Sequence, residues 1–223
     1  MLYIVSTPIG NLQDITMRAL EVLKSVDLIA AEDTRHSKIL LDHYQIPTPL
    51  TSYFEHNEKT KAEYLVRLLK EGKNIALITD AGTPGINDPG YRLINLAKEN
   101  EIQLTVVPGP CALIAALSLS ALPTDSFTFA GFLPVKSVGR KKKLAEFQNE
   151  TRTIIFYESP HRILKALEDI AETLPDWQVV VAREITKKFE EVRRGKAIEL
   201  AKHFEKTSPK GEFVLLLKSF EHR

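Results

Sequence analysis

The chain has 223 residues, of which 43% are hydrophobic and 26% are charged, a composition typical of a protein with a substantial apolar core. No apolar run is long enough to cross a bilayer, and the first residues predict a strand, so we expect neither a membrane span nor a secretory signal. The single cysteine, Cys111, excludes an intrachain disulfide and a cysteine-based zinc cluster, and it is typical of a reducing cytoplasm.

Strand and helix patterns alternate through the first part of the chain. The predicted strands cover residues 2–6, 27–31, 51–54, 74–79 and 103–107, and the predicted helices cover 15–25, 37–44, 60–71, 91–100 and 111–121. Asp14 is the predicted cap of the first helix, which turns Leu23 and Val26 toward a core. This alternation favours a mostly parallel sheet with helices on both faces.

A domain boundary is predicted between Leu133 and Pro134. A strand with alternating aromatic residues, 127–132, precedes this point, and a polar, basic stretch, 135–143, follows it. The predicted helices of the second part cover 141–149, 161–173 and 197–206; its strands cover 153–157, 178–183 and 212–218, and 192–195 is a short strand or a turn. We therefore predict two α/β domains, 1–133 and 134–223, with a cleft between them.

The two predicted domains differ in charge, although the net charge of the chain is only +1. Residues 1–133 carry 11 Lys+Arg and 15 Asp+Glu, whereas residues 134–223 carry 19 Lys+Arg and 14 Asp+Glu. A basic domain beside an acidic one indicates a polyanionic partner for the basic domain, and scatter in surface charge is the alternative.

Three apolar strands each end in a connection rich in proline and glycine. The connections are residues 6–11, the Gly/Pro loop (residues 80–90) and residues 108–112. Ligands bind at the carboxyl ends of strands in α/β sheets, and glycine lets a ligand approach the main chain. None of the three matches a Walker or GxGxxG pattern, which favours a ligand with adenine, ribose and carboxylate groups over one held by polyphosphate. A tight turn without a ligand is the alternative for any single loop.

Six motifs follow one another along the chain: residues 7–11, 32–35, 80–90, 108–110, 156–162 and 182–187. Together they resemble the RsmI family of small-subunit ribosomal RNA 2′-O-methyltransferases, within the tetrapyrrole-methylase superfamily. The resemblance runs from Leu2 to Leu217. One departure is Cys111, where serine or alanine is expected more often after Pro-Gly-Pro, but a small side chain is retained.

The resemblance implies S-adenosylmethionine (SAM) as the methyl donor, bound in the cleft between the two domains. It also implies, as the acceptor, the ribose 2′-hydroxyl of a cytidine in the decoding region of small-subunit (16S) rRNA, and it implies a homodimer. The cofactor contacts would be Gly82, Thr83, Pro84, Ile86, Pro110, Cys111, Ala112, Tyr157, Ala182 and Gly211. For Tyr157, an ordinary strand aromatic is an equal alternative.

Methyl transfer from a sulfonium is an in-line displacement that requires no metal. His36, His56 and His161 show no spacing typical of metal ligands. The sequence therefore predicts a site without a metal.

A ribose 2′-hydroxyl must lose its proton during transfer, so a carboxylate within hydrogen-bond reach suits as general base, with cations nearby to stabilise the oxyanion. The candidate bases are Asp33, Asp80 and Glu184, and the candidate cations are Arg35 and Lys187. Helix capping by Asp33, a structural ion pair for Glu184 and proton loss to water are the alternatives.

A basic surface for RNA is predicted in the second domain. Its residues are Arg140, Lys141, Lys142 and Lys143 at a predicted helix start, extended by Lys188, Arg193 and Arg194. Such cations contact phosphates without reading sequence, and a merely solvated charged face is the alternative. No RRM, KH or zinc-knuckle signature occurs, so target choice is expected to depend on the shape of rRNA in an assembled subunit.

Two other functions fit the same sequence. One is SAM-dependent C-methylation of a tetrapyrrole, a porphyrin or corrin precursor; the other is a protein that binds SAM or RNA without catalysis. The basic second domain and the motifs at 32–35 and 156–162 favour the rRNA methyltransferase over both.

Overall fold

Ten strands form two five-stranded sheets in the part of the chain that the computed structural model describes, residues 1–207 and 210–219. The sheets lie in separate units, Met1–Cys111 and Ala112–Arg223. The division therefore comes before the predicted boundary between Leu133 and Pro134. The reason is that the strand Phe127–Phe132 pairs in parallel with Thr153–Glu158, which ties it to the second sheet.

The first unit contains a parallel sheet. Its strands are β1 (Leu2–Val5), β2 (Leu28–Ala31), β3 (Leu50–Ser52), β4 (Ile75–Ile78) and β5 (Leu104–Val107), in the order β3-β2-β4-β1-β5. Helices α1 (Met17–Ser25), α2 (Thr34–His43), α3 (Glu58–Lys70) and α4 (Tyr91–Glu99) connect them. β4 is buried along its whole length, as expected of a central parallel strand. The predicted parallel sheet is confirmed.

Alternate residues of the central strands face two apolar cores. Ala76 and Ile78 of β4 pack in one core with Leu23 of α1 and with Leu40 and Leu41 of α2. Ile75 and Leu77, which point to the opposite face, pack in the other core with helices α3 and α4. The predicted placement of helices on both faces is therefore confirmed.

Helix α1 begins later than its sequence pattern predicts. Its cap is Thr16, whose hydroxyl accepts a hydrogen bond from the amide of Ala19 at 3.1 Å. Asp14, the predicted cap, instead ends a short 3₁₀ helix, Leu12–Asp14. Thr16 is the residue that reaches the third helical amide, the usual partner of an N-cap side chain.

The second unit contains a mixed sheet. Its strands are β6 (Phe127–Phe132), β7 (Thr153–Glu158), β8 (Gln178–Arg183), β9 (Glu191–Gly195) and β10 (Phe213–Lys218), in the order β6-β7-β10-β8-β9. β6 pairs in parallel with β7, and the other three pairings are antiparallel. Helices α5 (Ala112–Ser120), α6 (Ser137–Ala145), α7 (Ile163–Thr173) and α8 (Ala197–Thr207) belong to this unit. One core joins apolar residues of α6, α7, α8 and the sheet.

Helix α6 begins at Ser137, so the basic run 140–143 lies within the helix and not at its start. Arg140 and Leu144, one turn apart, are both buried against the unit's interior. In the described ranges, no helix has the length and apolar character needed to cross a membrane.

Candidate functional site

The Gly/Pro loop is joined to the connection after β1 through the main chain. The amide of Thr7 donates to the carbonyl of Gly82 at 2.8 Å, and the amide of Gly82 donates to the carbonyl of Thr7 at 3.1 Å. The Thr7 hydroxyl also donates to the carbonyl of Thr79 at 3.0 Å. The carboxyl ends of β1 and β4 are therefore held together beyond the last strand residues.

The connection after β5 meets the same edge of the sheet. The hydroxyls of Ser6 and Thr83 lie 2.8 Å apart, and the Thr83 hydroxyl donates to the carbonyl of Pro110 at 3.3 Å. Gly109 passes so close to Ser6 that a Cβ added to it would lie 3.0 Å from the Ser6 Cβ. The three connections predicted from sequence thus converge at one edge.

Gly82 has a backbone conformation that favours glycine. Its φ angle is +87°, in the left-handed region that L side chains rarely adopt. A Cβ there would meet Ile9 at 3.6 Å and the carbonyl oxygen of Pro110 at 3.8 Å, both ordinary contacts. The glycine is therefore required by its dihedral angle and not by a steric clash. Farther along the loop, Pro84 is buried, whereas Ile86 is exposed.

Four carboxylic acids lie close together: Asp80 and Asp88 in the Gly/Pro loop, and Glu32 and Asp33 after β2. The amide of Asp33 donates to Oδ1 of Asp80 at 3.0 Å. Oε2 of Glu32 accepts hydrogen bonds from the Thr79 hydroxyl at 2.6 Å and from the Asp80 amide at 3.5 Å. The end of β2 is therefore bound to the end of β4 through acidic side chains.

Two of these acids bind protons more tightly than usual. Burial, reinforced by the charge of Glu32, raises the pKa of Asp80 above its ordinary value. Burial and the same glutamate raise the pKa of Asp88 to about 6. The sequence predictions did not include Asp88; the available signal was an acid inside a Gly/Pro-rich connection at a strand end.

Asp33 is in a different electrostatic state. It accepts hydrogen bonds from the Arg35 amide at 2.8 Å and from Nε and Nη2 of the Arg35 guanidinium at 3.1 and 2.8 Å. The hydrogen bonds from the Arg35 side chain and amide hold the pKa of Asp33 well below its usual range. Asp33 caps α2, which is the alternative role that the sequence analysis gave it. A carboxylate of such low basicity is a poor general base.

A cavity of about 200 Å³ lies in the first unit beside α2. Pro8 from the connection after β1 lines it, together with Thr79 and Asp80 from the end of β4 and Ser37 and Leu40 from α2. The cavity therefore shares Asp80 with the acidic cluster.

In the second unit, Glu184 and Lys187 form a structural ion pair. Oε1 of Glu184 accepts from Nζ of Lys187 at 2.9 Å and from the amide of Glu212 at 3.1 Å. Burial opposes ionisation of Glu184, but these hydrogen bonds outweigh it and lower its pKa. A Cβ on Gly211 would lie 2.3 Å from the Glu184 side chain, so Gly211 makes room for that carboxylate. Glu184 therefore forms the structural ion pair that the sequence analysis gave as the alternative to a role as general base.

The other predicted cofactor contacts differ in accessibility. Tyr157 is partly buried, and its ring lies 4.9 Å from that of Phe129 and 5.9 Å from that of Phe132. Ala182 is fully buried within β8, so its burial does not support a direct contact with the cofactor. Cys111, at the end of the first unit, and Ala112, at the start of α5, are partly buried.

Two arginines of the predicted RNA surface are hydrogen-bonded within the second unit, and Arg140 is buried and not at the surface as predicted. Arg140 is 3% exposed; its Nε donates to Asp169 of α7 at 2.7 Å, and its Nη1 donates to the carbonyl of Val135 at 2.7 Å. Arg194 donates to the carbonyls of Ser120, at 2.9 Å, and Leu119 at the end of α5. The first arginine lies inward because α6 begins before it, which places it one turn from the buried Leu144.

The remaining predicted cations are at the surface, but most are paired. Lys141 donates to Glu172 at 2.6 Å, Lys143 donates to Glu146 at 2.8 Å, and Arg193 donates to Glu191 at 2.7 Å. Exposed Lys142 has no hydrogen bond or ion pair with any residue in the ranges 1–207 and 210–219. Exposed Lys188 lies over the Phe189 ring at 5.7 Å. Among the described residues, no group of three or more His, Cys, Asp or Glu could hold a metal ion.

Comparison with known proteins identifies the family. The model of the tetrapyrrole (corrin/porphyrin) methylases matches residues 1–201. The chain belongs to the tetrapyrrole methylase family. The resemblance drawn from the six sequence motifs, and the methyltransferase class that it implies, are confirmed.

Similar members of the tetrapyrrole methylase family carry one name, ribosomal RNA small subunit methyltransferase I. The protein from Escherichia coli O157:H7 is 53% identical over 220 residues, which cover 97% of this chain and 77% of that protein. The protein from Thermotoga maritima is 47% identical over 220 residues, which cover 99% of both chains.

Solved structures of the family share the fold at low sequence identity. Uroporphyrin-III-C-methyltransferase from Thermus thermophilus aligns with a TM-score of 0.68 at 20% identity, covering 96% of this chain and 93% of that chain. Cobalt precorrin-4 methyltransferase aligns with a TM-score of 0.71 at 19% identity, covering 97% and 94%. A Thermus thermophilus uroporphyrin-III C-methyltransferase complexed with S-adenosyl homocysteine aligns with a TM-score of 0.67 at 16% identity, covering 98% and 97%. The predicted α/β, tetrapyrrole-methylase-like fold is confirmed.

Proposed function

We propose that this protein transfers the methyl group of SAM to small-subunit (16S) rRNA, at the ribose 2′-oxygen of a cytidine in the decoding region. The observation that carries the proposal is the identity of about half of all residues, along nearly the whole chain, to proteins named ribosomal RNA small subunit methyltransferase I. Solved tetrapyrrole methylases are at most 20% identical among those compared above, so a porphyrin or corrin substrate has weaker support.

The converging connections of the first unit fit the proposed cofactor. Around Gly82 and Thr83, the edge offers main-chain groups, hydroxyls and the exposed apolar side chain of Ile86, and it lacks the lysine of a Walker loop. Such groups suit a nucleoside with an amino-acid tail. SAM, when bound, supplies a methyl carbon made electrophilic by its positively charged sulfur. We propose that Gly82, Thr83, Pro84, Ile86 and Pro110 hold it; Cys111, Ala112, Tyr157, Ala182 and Gly211 stay predictions.

Asp80 is the carboxylate best suited to accept the proton of a 2′-hydroxyl. Burial raises its pKa, which strengthens it as a base, and it lies at the carboxyl end of β4 where the Gly/Pro loop starts. Asp33 is weakened by Arg35, and Glu184 is engaged by Lys187 and the Glu212 amide. We therefore place Asp80 ahead of Asp33 and Glu184 as the general base. Nearby main-chain N–H groups would stabilise the negative charge that develops on the 2′-oxygen, a role that the sequence analysis gave to Arg35 or Lys187.

We propose a narrower RNA-binding surface than the sequence predicts. With Arg140 buried and Arg194 bound to α5, the proposed phosphate contacts are Lys142 and Lys188, with the ion-paired Lys141, Lys143 and Arg193 as secondary ones. Phosphate contacts of this kind position the RNA and leave sequence choice to other groups. A homodimer working on ribosomal subunits in the cytoplasm completes the proposal, and sedimentation velocity at micromolar concentration tests the dimer.

The decisive experiment is methyl transfer from radiolabelled SAM to purified small subunits from cells that lack this methylation, followed by mapping of the labelled nucleotide. Label on one ribose 2′-oxygen of a decoding-region cytidine is the expected result. Label on a base, or at another nucleotide, would overturn the finer assignment. SAM binding without label would overturn the rRNA activity, and uroporphyrinogen and corrin precursors would then be the substrates to test.

A further inference from the structure

We propose that the cavity beside α2 is the pocket for the base of the target nucleotide, and that it accepts a single pyrimidine ring with Ser37 as its internal polar contact. The inference rests on the proposed function, because it supposes that a nucleotide of rRNA is the substrate. Enzymes that modify a base draw its nucleotide out of the stack and enclose the base between aromatic or apolar side chains, and we extend this arrangement to transfer to the ribose of the enclosed nucleotide.

The size and lining of the cavity fit one ring. Its volume is about 200 Å³, and a cavity of about 150 Å³ in a protein core is large enough to hold benzene. Leu12, Leu40 and Ile78 give it apolar walls. The cavity therefore has room for a six-membered ring with its small substituents.

Ser37 supplies a polar group that has no use in the fold. The residue is 3% exposed, and its hydroxyl has no hydrogen-bond partner anywhere in residues 1–207 and 210–219. Its amide, by contrast, donates to the carbonyl of Asp33 at 2.9 Å within α2. Burying an unpartnered hydroxyl destabilises a protein, so Oγ would gain by bonding a ligand. The oxygen itself is buried, and a rotation about the Cα–Cβ bond would bring it to the cavity that Ser37 lines.

The chemistry of a serine hydroxyl suits the edge of a pyrimidine. The hydroxyl donates one hydrogen bond and accepts others, so it can pair with a ring nitrogen, a carbonyl oxygen or an amino group. The wall also contains His36 and Asp80, and Asp80 lies near Glu32. Two carboxylates beside one histidine disfavour an anion such as phosphate. A neutral heterocycle is therefore the occupant that the lining favours.

The cavity is also joined to the proposed reaction centre. Asp80, the proposed general base, is part of its wall, and Thr7, another wall residue, exchanges backbone hydrogen bonds with Gly82 of the proposed cofactor loop. A base held in the cavity would keep its own ribose near the carboxyl ends of β1 and β4. Base binding would then orient the 2′-hydroxyl for transfer.

The first test is Ser37→Ala, which removes only the hydroxyl. We expect kcat/KM for small subunits to fall about tenfold or more, while the Kd for SAM stays within twofold and the melting temperature is unchanged or higher. Ser25→Ala is the matched control, because Ser25 ends α1 in the same unit and its exposed hydroxyl donates to the Val22 carbonyl at 3.0 Å. The control should change none of these quantities except a slight loss of stability.

The second test is Ser37→Leu, which fills the cavity with an apolar side chain. We expect it to abolish transfer while SAM binding remains; if it fails to fold, Ser37→Ala decides alone. If the wild-type protein labels subunits and Ser37→Ala is as active as Ser25→Ala, the base pocket is overturned and the proposed function stands. Wild-type protein that labels no subunits would overturn the proposed function and this inference together.

Discussion

Thr7 and Gly82, seventy-five positions apart, exchange two backbone hydrogen bonds of 2.8 and 3.1 Å. They lie beyond the ends of β1 and β4, so the pair fixes the Gly/Pro loop against the connection after β1. A binding edge made of main chain needs such fixation, because a mobile loop would lose entropy each time a ligand ordered it.

The first prediction concerns Gly82→Ala. Gly82 and Gly72 have nearly the same φ angles, +87° and +88°, and a Cβ at Gly72 would meet no atom within 4 Å. Both alanine variants should therefore lose about 1 kcal/mol of unfolding free energy to backbone strain. Only Gly82→Ala should also weaken SAM binding, by about tenfold or more, as measured by calorimetry. Equal SAM affinities for the two variants would remove the loop from the cofactor site.

The second prediction separates the candidate bases. Asp80→Asn should lower kcat by a factor of about 10² to 10⁴, with SAM affinity nearly unchanged, because it removes a proton acceptor. Asp33→Asn is the matched control: asparagine caps a helix as well as aspartate does, so α2 should remain intact and most of the activity should survive. Single-turnover rates of methyl transfer to small subunits measure the difference. A larger loss of rate in Asp33→Asn than in Asp80→Asn would make Asp33 the better candidate for the general base.

The third prediction is a pH dependence of stability due to Asp88. Its pKa is raised from 3.8 to about 6 by burial and by Glu32, so the folded state holds its proton more tightly than the unfolded state. Its stabilising contribution is therefore complete below pH 3.8 and is lost as the pH rises through about 6. Asp88→Asn should be more stable than the wild type at pH 8, by about 1–2 kcal/mol after allowance for solvent screening. The two proteins should be equally stable near pH 4.

Urea unfolding of both proteins at pH 4, 6 and 8 measures the Asp88 effect. Asp42→Asn is a suitable control, because Asp42 is exposed and pairs with Lys38 on the surface of α2. A difference between Asp88→Asn and wild type that does not change from pH 4 to pH 8 would contradict the assignment.

The sequence predicted those features that local chemistry determines. Apolar runs ending in proline and glycine, such as Ile75–Ile78 followed by the Gly/Pro loop, specify a buried strand and a rigid turn within a few residues. The parallel first sheet followed from the alternation of such strands with helices. The antiparallel pairings of β10 with β7 and β8 join residues far apart in the chain, and no local pattern encodes them.

The residues of the candidate site also divide into those that a local sequence pattern predicts and those that only the tertiary structure reveals. Gly82 and Pro110 were predicted because glycine and proline constrain the backbone wherever they occur. Asp88 and Ser37 were missed because their importance lies in burial and in neighbouring groups, which only the tertiary structure supplies. Arg140 was predicted at the surface because its charge was considered alone; its burial depends on Asp169 of α7 and the carbonyl of Val135, which the tertiary structure brings to it.

The last prediction compares substitutions of two nearby cations of α6, Arg140 and Lys142. The Arg140–Asp169 pair is 3% and 8% exposed. Arg140→Ala would leave the buried carboxylate with only the Ser137 hydroxyl at 2.7 Å and the ammonium of Lys141 at 3.8 Å, and should cost about 3 kcal/mol of unfolding free energy. Lys142→Ala removes an exposed side chain and should change stability by less than about 0.5 kcal/mol. Chemical unfolding measures both changes.

RNA binding should respond in the opposite way. Lys142→Ala should weaken the affinity for a small-subunit rRNA fragment and reduce the magnitude of its salt slope by about 1, as expected for one lost phosphate contact. Arg140→Lys keeps a charge near Asp169 but has fewer donors for the carbonyl of Val135, so it should lower stability while leaving the salt slope unchanged. A reduced salt slope in Arg140→Lys, with wild-type stability, would restore Arg140 to the RNA surface. An unchanged slope in Lys142→Ala would remove Lys142 from it.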